Sequence, residues 1–273
     1  MISYSILLLL LLGCILLQRK FRRYVPILMY HRIAAVPGDR NALPPEKFAA
    51  QLAYLAKNGF TTITPNMLHA AYAHGAKLPP KPVLLTFDDG YADNYSAALP
   101  LLQRYAMTAV VFPIANWIGR ENKWEDFHKA PTRTMTWQEL ADWQTAGMQI
   151  EGHTLDHPFL TNCPPERLES ELLKSRTLLE AQLPTKINFL CYPYGFFDEK
   201  TVLAAKAAGY LGAFAIFDHV NLWQPDLYAL PRIPIPAHQS MWEFRLKVSS
   251  IHLIFVALRK WEREFKRFWR KNN

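Results

Sequence analysis

Short apolar runs alternate with amphipathic stretches along most of this chain, and the punctuation between them is regular enough to read as repeated strand-helix units. Ile27 to Tyr30 reads as a first strand. Phe48, Leu52 and Leu55 recur at helical spacing, Gly59 closes that helix, and Phe60 to Thr64 follows as a second strand. Val83 to Phe87 makes a third strand and Thr108 to Ile114 a fourth, reached through a helix around Ala97 to Arg104 in which Pro100 either sits early or kinks the axis. Thr136 and Glu139 have the spacing of a capping box for a helix ending near Gly147, before a fifth strand from Met148 to Glu151. Pro164 and Pro165 open a long helix to Gln182, and Asn188 to Tyr192 is the sixth strand. A helix from Asp198 to Ala208 and the strand Leu211 to Ile216 complete the series.

This alternation predicts an α/β fold, and periodicity alone leaves open a parallel barrel or a doubly wound sheet. The polar residues favour the barrel. Asp88, Asp89, His153 and Tyr194 all fall just beyond the carboxyl ends of expected strands, where barrels gather their chemistry. The expected organisation is a hydrophobic anchor with a basic collar at 1–23, a catalytic domain at 24–240 and a basic amphipathic tail at 241–273.

The ends differ from the body. Ile2 to Leu17 carries no charge and reads as an anchor helix near the lower length limit for a span. A cleaved signal peptide is the competing reading, although the basic residues follow the apolar run instead of preceding it. Leu11-Leu12-Gly13-Cys14 also resembles a lipidation box. In the tail, Ile254, Leu258, Trp261, Phe265 and Trp269 repeat at helical spacing among Arg259, Lys260, Arg263, Lys266, Arg267 and Lys271, a pattern suited to a membrane surface or to packing on the barrel with a solvated basic face.

Net charge is +8, and it lies in the collar of Arg19, Lys20, Arg22 and Arg23 and in that tail, so the body is close to neutral. This placement argues for contact with membrane lipid through both termini and against nucleic-acid binding. A basic collar after the span places the body on the cytoplasmic face of the membrane by the positive-inside tendency, the periplasmic or extracellular face being the alternative. The three cysteines imply no disulfide framework, though Cys163 and Cys191 leave room for a single bridge.

The sharpest local feature is Thr86-Phe87-Asp88-Asp89-Gly90 after an apolar strand. Read alone, an acidic pair before glycine is a turn former. Read as chemistry, one carboxylate binds a metal while its neighbour stays free as a base. His153-Thr154-Leu155-Asp156-His157 supplies what that pair lacks, since two histidines four apart converge on one ion if the segment makes a helical turn. One aspartate and two histidines are the ligand set of a divalent catalytic site with an open position. Cys191-Tyr192-Pro193-Tyr194-Gly195 can present a backbone N–H to an oxyanion and an aromatic face to a sugar, or is simply a turn after a strand.

In this order the three segments resemble the polysaccharide deacetylase family (carbohydrate esterase family 4), which includes chitin, peptidoglycan and rhizobial Nod-factor deacetylases. The resemblance runs from Pro26 to Ile235 and implies a distorted barrel of seven strand-helix units. It implies Asp88 as general base, Asp89, His153 and His157 as ligands of a divalent metal, Zn²⁺ by expectation, and the Tyr194 amide at the oxyanion, with Tyr192 and Gly195 beside it. Two positions depart from the commonest pattern. Cys191 stands where the family carries an arginine that braces the base, and the late Leu-x-x-His motif is absent. Leu28-Met29-Tyr30-His31 supplies that motif early instead, as in the permuted subgroup acting on poly-β-1,6-N-acetylglucosamine, so His31 is the expected general acid. Arg232 is the candidate replacement for the bracing arginine; His219 and His238 are reserve acids. The implied activity is removal of the acetyl group from an N-acetylated amino sugar in a polysaccharide or lipid-linked glycan. The alternatives are a non-catalytic carbohydrate-binding relative and a deacylase of a different amide.

Overall fold

The computed structural model describes residues 25–123, 132–216 and 226–249, together with His252 and Trp269. Its strands are β1 (Ile27–Tyr30), β2 (Thr61–Thr62), β3 (Pro82–Asp89), β4 (Val110–Pro113), β5 (Gln149–Ile150), β6 (Phe189–Cys191), β7 (Gly212–Ile216) and β8 (Leu230–Pro234). Between and after them run α1 (Pro45–Lys57), α2 (Pro65–His74), α3 (Leu99–Arg104), α4 (Trp137–Thr145), α5 (Pro165–Gln182), α6 (Glu199–Ala207) and α7 (Met241–Lys247). The expected capping box at Thr136 and Glu139 is present, and the same device opens α6 at Asp198 and α7 at Ser240. Pro100 is the second residue of α3, directly after a π-helical segment, Asn94–Ala98.

Every strand pair is parallel, in the order β5-β4-β3-β1-β8-β7-β6. The two ends of that order meet through a parallel bridge between Gly152 and Leu190, so the sheet curls into a distorted barrel. The expected second strand does not belong to this ring. It shortens to Thr61–Thr62 and pairs only with the start of β3. Its place is taken by β8, which sequence reading had not assigned as a strand. The prolines of Leu230–Pro234 argue against a strand, but β8 overlaps β1 only at Ile233 and Pro234 and β7 only from Leu230 to Arg232, so few ladder bonds are at stake.

Side chains alternate along the strands, as the two-residue period of a strand requires. Leu28, Val83, Leu85, Phe87, Val111, Leu190, Ala213, Ala215 and Ile233 belong to the larger core, shared with the helices. Ile27, Leu84, Val110, Phe112, Phe189, Cys191, Phe214 and Leu230 form a second cluster on the other face, inside the barrel. Continuing that inward register, Asp88 on β3 and Arg232 on β8 also turn inward. The fold thus places a carboxylate, a guanidinium and the Cys191 thiol together at the carboxyl end of the barrel.

The seam between β5 and β6 is held by more than its bridge. Gly152 N donates to Phe189 O at 3.0 Å, Cys191 N donates to Gly152 O at 2.8 Å, and the Glu151 carboxylate accepts from Asn188 N and Phe189 N at 2.7 and 2.8 Å. Cys163 and Cys191 are both free and buried, which rules out the disulfide that their number allowed. Among the described residues no helix is long and apolar enough to cross a membrane. The expected anchor at residues 1–23 and nearly all of the basic tail beyond α7 lie outside the described residues, as does the reserve acid His219.

Burial pushes the Glu151 carboxyl up to about 8, against the opposing pull of the two backbone donors and Arg176. A carboxyl whose folded value lies above its unfolded one stabilises the fold fully below the unfolded value, and that contribution is lost as pH rises through the folded value. Thermal denaturation of the wild type should therefore show stability falling between pH 5 and 9, with a component on the order of a few kcal/mol due to this group. Glu151→Gln keeps a carbonyl acceptor for the seam and should flatten that decline. Parallel curves for the two proteins would contradict this assignment.

Candidate active site

β3 ends in two carboxylates that diverge because the backbone turns between them. Asp88 is still extended strand, whereas Asp89 has φ +68° and Gly90 φ +72°. Gly90 is also packed closely, since a Cβ there would lie 3.0 Å from Pro113 Cα. Asp89 Oδ1 lies 3.4 Å from His153 Nε2 and 3.7 Å from His157 Nε2. All three side chains are buried, and one ligand atom from each falls within 4.8 Å of the others.

His153 is oriented by its other nitrogen. Nδ1 lies 2.8 Å from the Cys191 carbonyl oxygen, which makes it the protonated nitrogen and leaves Nε2 for the Asp89 side. The segment 153–157 is not the helical turn that four-residue spacing suggests. Thr154 and His157 have φ +65° and +61°, and the loop is tied by His157 N donating to Thr154 Oγ1 at 3.0 Å. Glu171 on α5 fixes its outer side, accepting from Leu155 N and Asp156 N at 3.0 and 2.9 Å. Sequence reasoning missed Glu171. The signal was its place on the core-facing stripe of α5, with Leu168, Leu172, Ser175 and Leu179.

Asp88 is held on the opposite side of its own carboxyl group. Arg232 Nη2 donates to Oδ2 at 2.9 Å while Nη1 makes a shorter bond to Oδ1, a two-pronged pair wholly inside the barrel. The expected bracing partner is therefore in contact with Asp88. His31 Nε2 lies 3.9 Å from Asp88 Oδ2, and the backbone of His31 is fixed by Asn94 Nδ2 donating to its carbonyl at 2.8 Å. Next to it, Arg32 is tied to Asp93, whose carboxylate also takes Ile33 N at 2.9 Å.

Tyr194 has φ +59° within the turn Pro193–Gly195, and its ring lies 4.6 Å from that of His157. Its two companions do not face the site. Tyr192 is buried, stacked on Phe197 at 5.2 Å, with its hydroxyl donating to Tyr228 O at 3.0 Å, because the inward register at Cys191 sends the next side chain into the outer core. Gly195 uses its N–H on Tyr192 O at 2.9 Å, and a Cβ there would collide with Ile216 at 2.3 Å. It shapes the turn, with its N–H already bonded inside it. His238 lies on the loop after β8, lining a separate surface pocket with Arg40 and Pro37.

Charges explain how the cluster is poised. Burial alone would raise Asp88, but Arg232, then His31 and His153, outweigh it and hold the carboxyl below its ordinary range. Asp89 is likewise lowered despite burial, by its hydrogen bond to His153 and the charge of His157. Burial opposes charge on His153, yet Cys191, Asp89 and Asp88 raise it well above normal. His157, buried and facing a charged His153, is pushed down to about 3. Two buried imidazoles and a carboxylate whose ligand atoms face one another form an arrangement that a divalent cation fits. The other possible grouping, Asp88, His153 and Cys191, fits less well, because Arg232 holds its carboxylate and the Cys191 carbonyl holds Nδ1 of its histidine.

Comparison with known proteins gives the class. The family model for polysaccharide deacetylase matches residues 75–213. A Bacillus subtilis protein named for the same family, YxkH, is 31% identical over 227 residues, covering 83% of this chain and 77% of its own. The chain belongs to the polysaccharide deacetylase family, and is a hydrolase of carbon-nitrogen bonds.

Among more distant relatives, the poly-β-1,6-N-acetyl-D-glucosamine N-deacetylase of Escherichia coli K12 is 24% identical over 74% of this chain, which spans 34% of that protein's length. The Staphylococcus epidermidis protein of the same name is 28% identical over 59% of this chain and 57% of its own. In solved structures the same fold occurs in the Streptococcus pyogenes deacetylase PplD, with TM-score 0.73 at 24% identity over 82% of this chain and 98% of that one. It occurs also in IcaB from Ammonifex degensii, with TM-score 0.70 at 24% identity over 82% and 95% of the two chains.

Removing one partner of a buried ion pair strands the other charge. Arg232→Met should lower unfolding stability by about 3–5 kcal/mol in chemical denaturation. The double variant with Asp88→Asn should recover part of that loss, as coupled neighbours do. A single-variant loss below about 1 kcal/mol would show that the pair is not the constraint its geometry implies.

Proposed function

We propose that this protein removes the acetyl group from N-acetylated hexosamine units of a glycan, with a β-1,6-linked N-acetylglucosamine polymer as the substrate class. The observation that carries the reading is the convergence of Asp89, His153 and His157 within 4.8 Å, with Asp88 and His31 alongside. The relatives named for this polymer, and the early position of His31 directly after β1, support the choice of glycan.

In this reading Asp89, His153 and His157 hold a divalent cation, Zn²⁺ by ligand type, since mixed carboxylate and imidazole donors suit it. When bound, it supplies a water of lowered pKa and polarises the acetamide carbonyl. Asp88, kept ionised by Arg232, takes a proton from the attacking water. As the carbon–oxygen bond forms, charge collects on the carbonyl oxygen, beside which Tyr194 presents its main-chain amide. The carbon–nitrogen bond then breaks and His31 delivers a proton to the departing amine. Acetate and a free amino sugar are the products. Arg232, buried and bonded to both oxygens of Asp88, has the part of positioning and charging the base.

Attachment to a membrane belongs to the same reading. The indoles of Trp242, 70% exposed on α7, and Trp269, 60% exposed, support lipid contact at the carboxyl-terminal end.

The test separates ligand from base. Asp88→Asn should retain bound metal, measured by elemental analysis, while acetate release from β-1,6-linked N-acetylglucosamine oligomers falls by about 10²–10⁴-fold. Asp89→Asn should lose metal and activity together. Near wild-type release by the first variant, or none by the metal-loaded wild type, would refute the proposal.

A further inference from the structure

Past the two aspartates at the end of β3 the chain carries a second pair of polar residues, Asp93 and Asn94, that the reaction just described does not use. Asp93 is mostly buried and Asn94 wholly so. Both reach back to the three residues that follow β1 and bond each of them in turn. Asn94 Nδ2 donates to His31 O at 2.8 Å, Arg32 Nε donates to Asp93 Oδ2 at 3.0 Å, and Ile33 N donates to Asp93 Oδ1 at 2.9 Å. The pair is joined to itself as well, with Asn94 Nδ2 3.5 Å from Asp93 Oδ1.

The His31 carbonyl and the Arg32 N–H belong to one planar peptide group. Asn94 binds its oxygen, and its N–H donates to Asn41 O at 3.1 Å, so the plane that leaves His31 is pinned at both ends. The imidazole depends on this support. Its Nε2 stands 3.9 Å from Asp88 Oδ2, beyond hydrogen-bond range, so contact with the base does not set the ring. Its position comes instead through the backbone that carries it. The pair also lies only four and five residues beyond Asp89, so the base, a proposed ligand and the clamp on His31 all come from the stretch 88–94. Asn94 opens the π-helical segment Asn94–Ala98, a wide turn that is rare in helices and is found frequently at functional sites.

We infer that Asp93 and Asn94 are positioning residues for the general acid: they hold the His31 backbone where the imidazole meets the departing amine. An acid helps only if its proton is within reach of the leaving atom as the bond breaks, and a displacement of about 1 Å costs up to about a hundredfold. Asn94 holds His31 directly. Asp93 acts one step further out, fixing Arg32 and Ile33, the residues through which the segment would otherwise swing. The inference rests on the reading of His31 as the acid and adds to it the residues that keep it in place.

The experiment compares an amide with an activated ester in the metal-loaded enzyme. Acetate release from β-1,6-linked N-acetylglucosamine oligomers needs a proton on the leaving amine, whereas nitrophenyl acetate loses a phenolate that departs without one. Metal and base serve both substrates, so the amide-to-ester ratio of kcat reads the acid. Asn94→Leu should lower that ratio about tenfold, with bound metal and KM for the oligomers within about twofold of wild type. Asp93→Asn, a smaller change of shape, should lower it in the same direction by about fivefold. Partial unfolding lowers both activities and leaves the ratio where it was. In a His31→Gln background neither substitution should change the ratio further, because the group being positioned is gone. Ratios within about twofold of wild type for both variants, or losses that persist undiminished without His31, would overturn the inference. If His31→Gln itself leaves the ratio unchanged, His31 is not the acid, and the reading beneath the inference fails with it.

Discussion

A guanidinium and a carboxylate face each other inside this barrel with almost no access to water, and the geometry of the site follows from that confinement. Arg232 is 1% exposed and Asp88 3%. Neither charge is tolerable there alone, so each fixes the other. The strands that carry them are not neighbours, because β1 lies between β3 and β8. The pair therefore ties three strands, and Thr86 adds to the tie by accepting from Arg232 Nη1 at 3.4 Å and donating to Leu28 O at 2.9 Å. Phe112 lies under the cation at 5.7 Å. His31 comes from the end of the enclosed strand, so the interaction that locks the sheet also brings an imidazole to the edge of the Asp88 carboxyl.

The other half of the site depends on the seam where the sheet meets itself. The carbonyl of Cys191 receives His153 Nδ1, and the amide of the same residue donates to Gly152 O. One residue of β6 thus closes the barrel and sets the ring that faces Asp89. Gly152 permits the approach, since a Cβ there would come within 2.9 Å of the Tyr210 hydroxyl. Glu151 binds the two residues that begin the facing strand. Opening the seam would turn His153 away from Asp89, so structural closure and ligand orientation are one event here, not two.

What the sequence made legible, and what it concealed, follows from which forces are local. Strand-helix alternation, the capping box at Thr136 and the gathering of Asp88, Asp89 and His153 at the carboxyl ends of strands are local patterns, and the structure has them, although the two aspartates are the last residues of β3 and do not follow it. The ring was harder. Phe60 to Thr64 has the composition of a strand, yet only Thr61 and Thr62 pair, outside the ring. Leu230–Pro234 has the composition of a turn, yet it completes the barrel, because tertiary closure outweighs the cost of two prolines on so short an overlap. Tyr192 looked like a substrate contact because it neighbours Tyr194, but strand parity carries it into the outer core. Glu171 stayed hidden because a glutamate on a helix reads as surface until the loop that it anchors is known. Histidine spacing gave the right convergence for the wrong local reason. Left-handed residues at 154 and 157 do what a helical turn was expected to do.

Arg232 was legible for a different reason: it answers a deficit. A buried carboxylate at the end of β3 needs a cation, and the position on β6 that would supply one holds Cys191, whose thiol donates to Asp88 Oδ1 at 3.6 Å. At this level the barrel interior holds the buried Arg232 side chain and the small Cys191 thiol against the same carboxylate. With Phe112 and Phe214 packed 5.3 Å apart below it, an arginine at 191 in addition to Arg232 would crowd two like charges into the space that one now fills. A small residue at 191 and a large one at 232 are therefore a single arrangement, with the guanidinium reaching the same carboxylate from a strand on the other side of β7. The physical requirement is an ion pair to Asp88; the strand that provides it is free to change so long as volume inside the barrel is conserved.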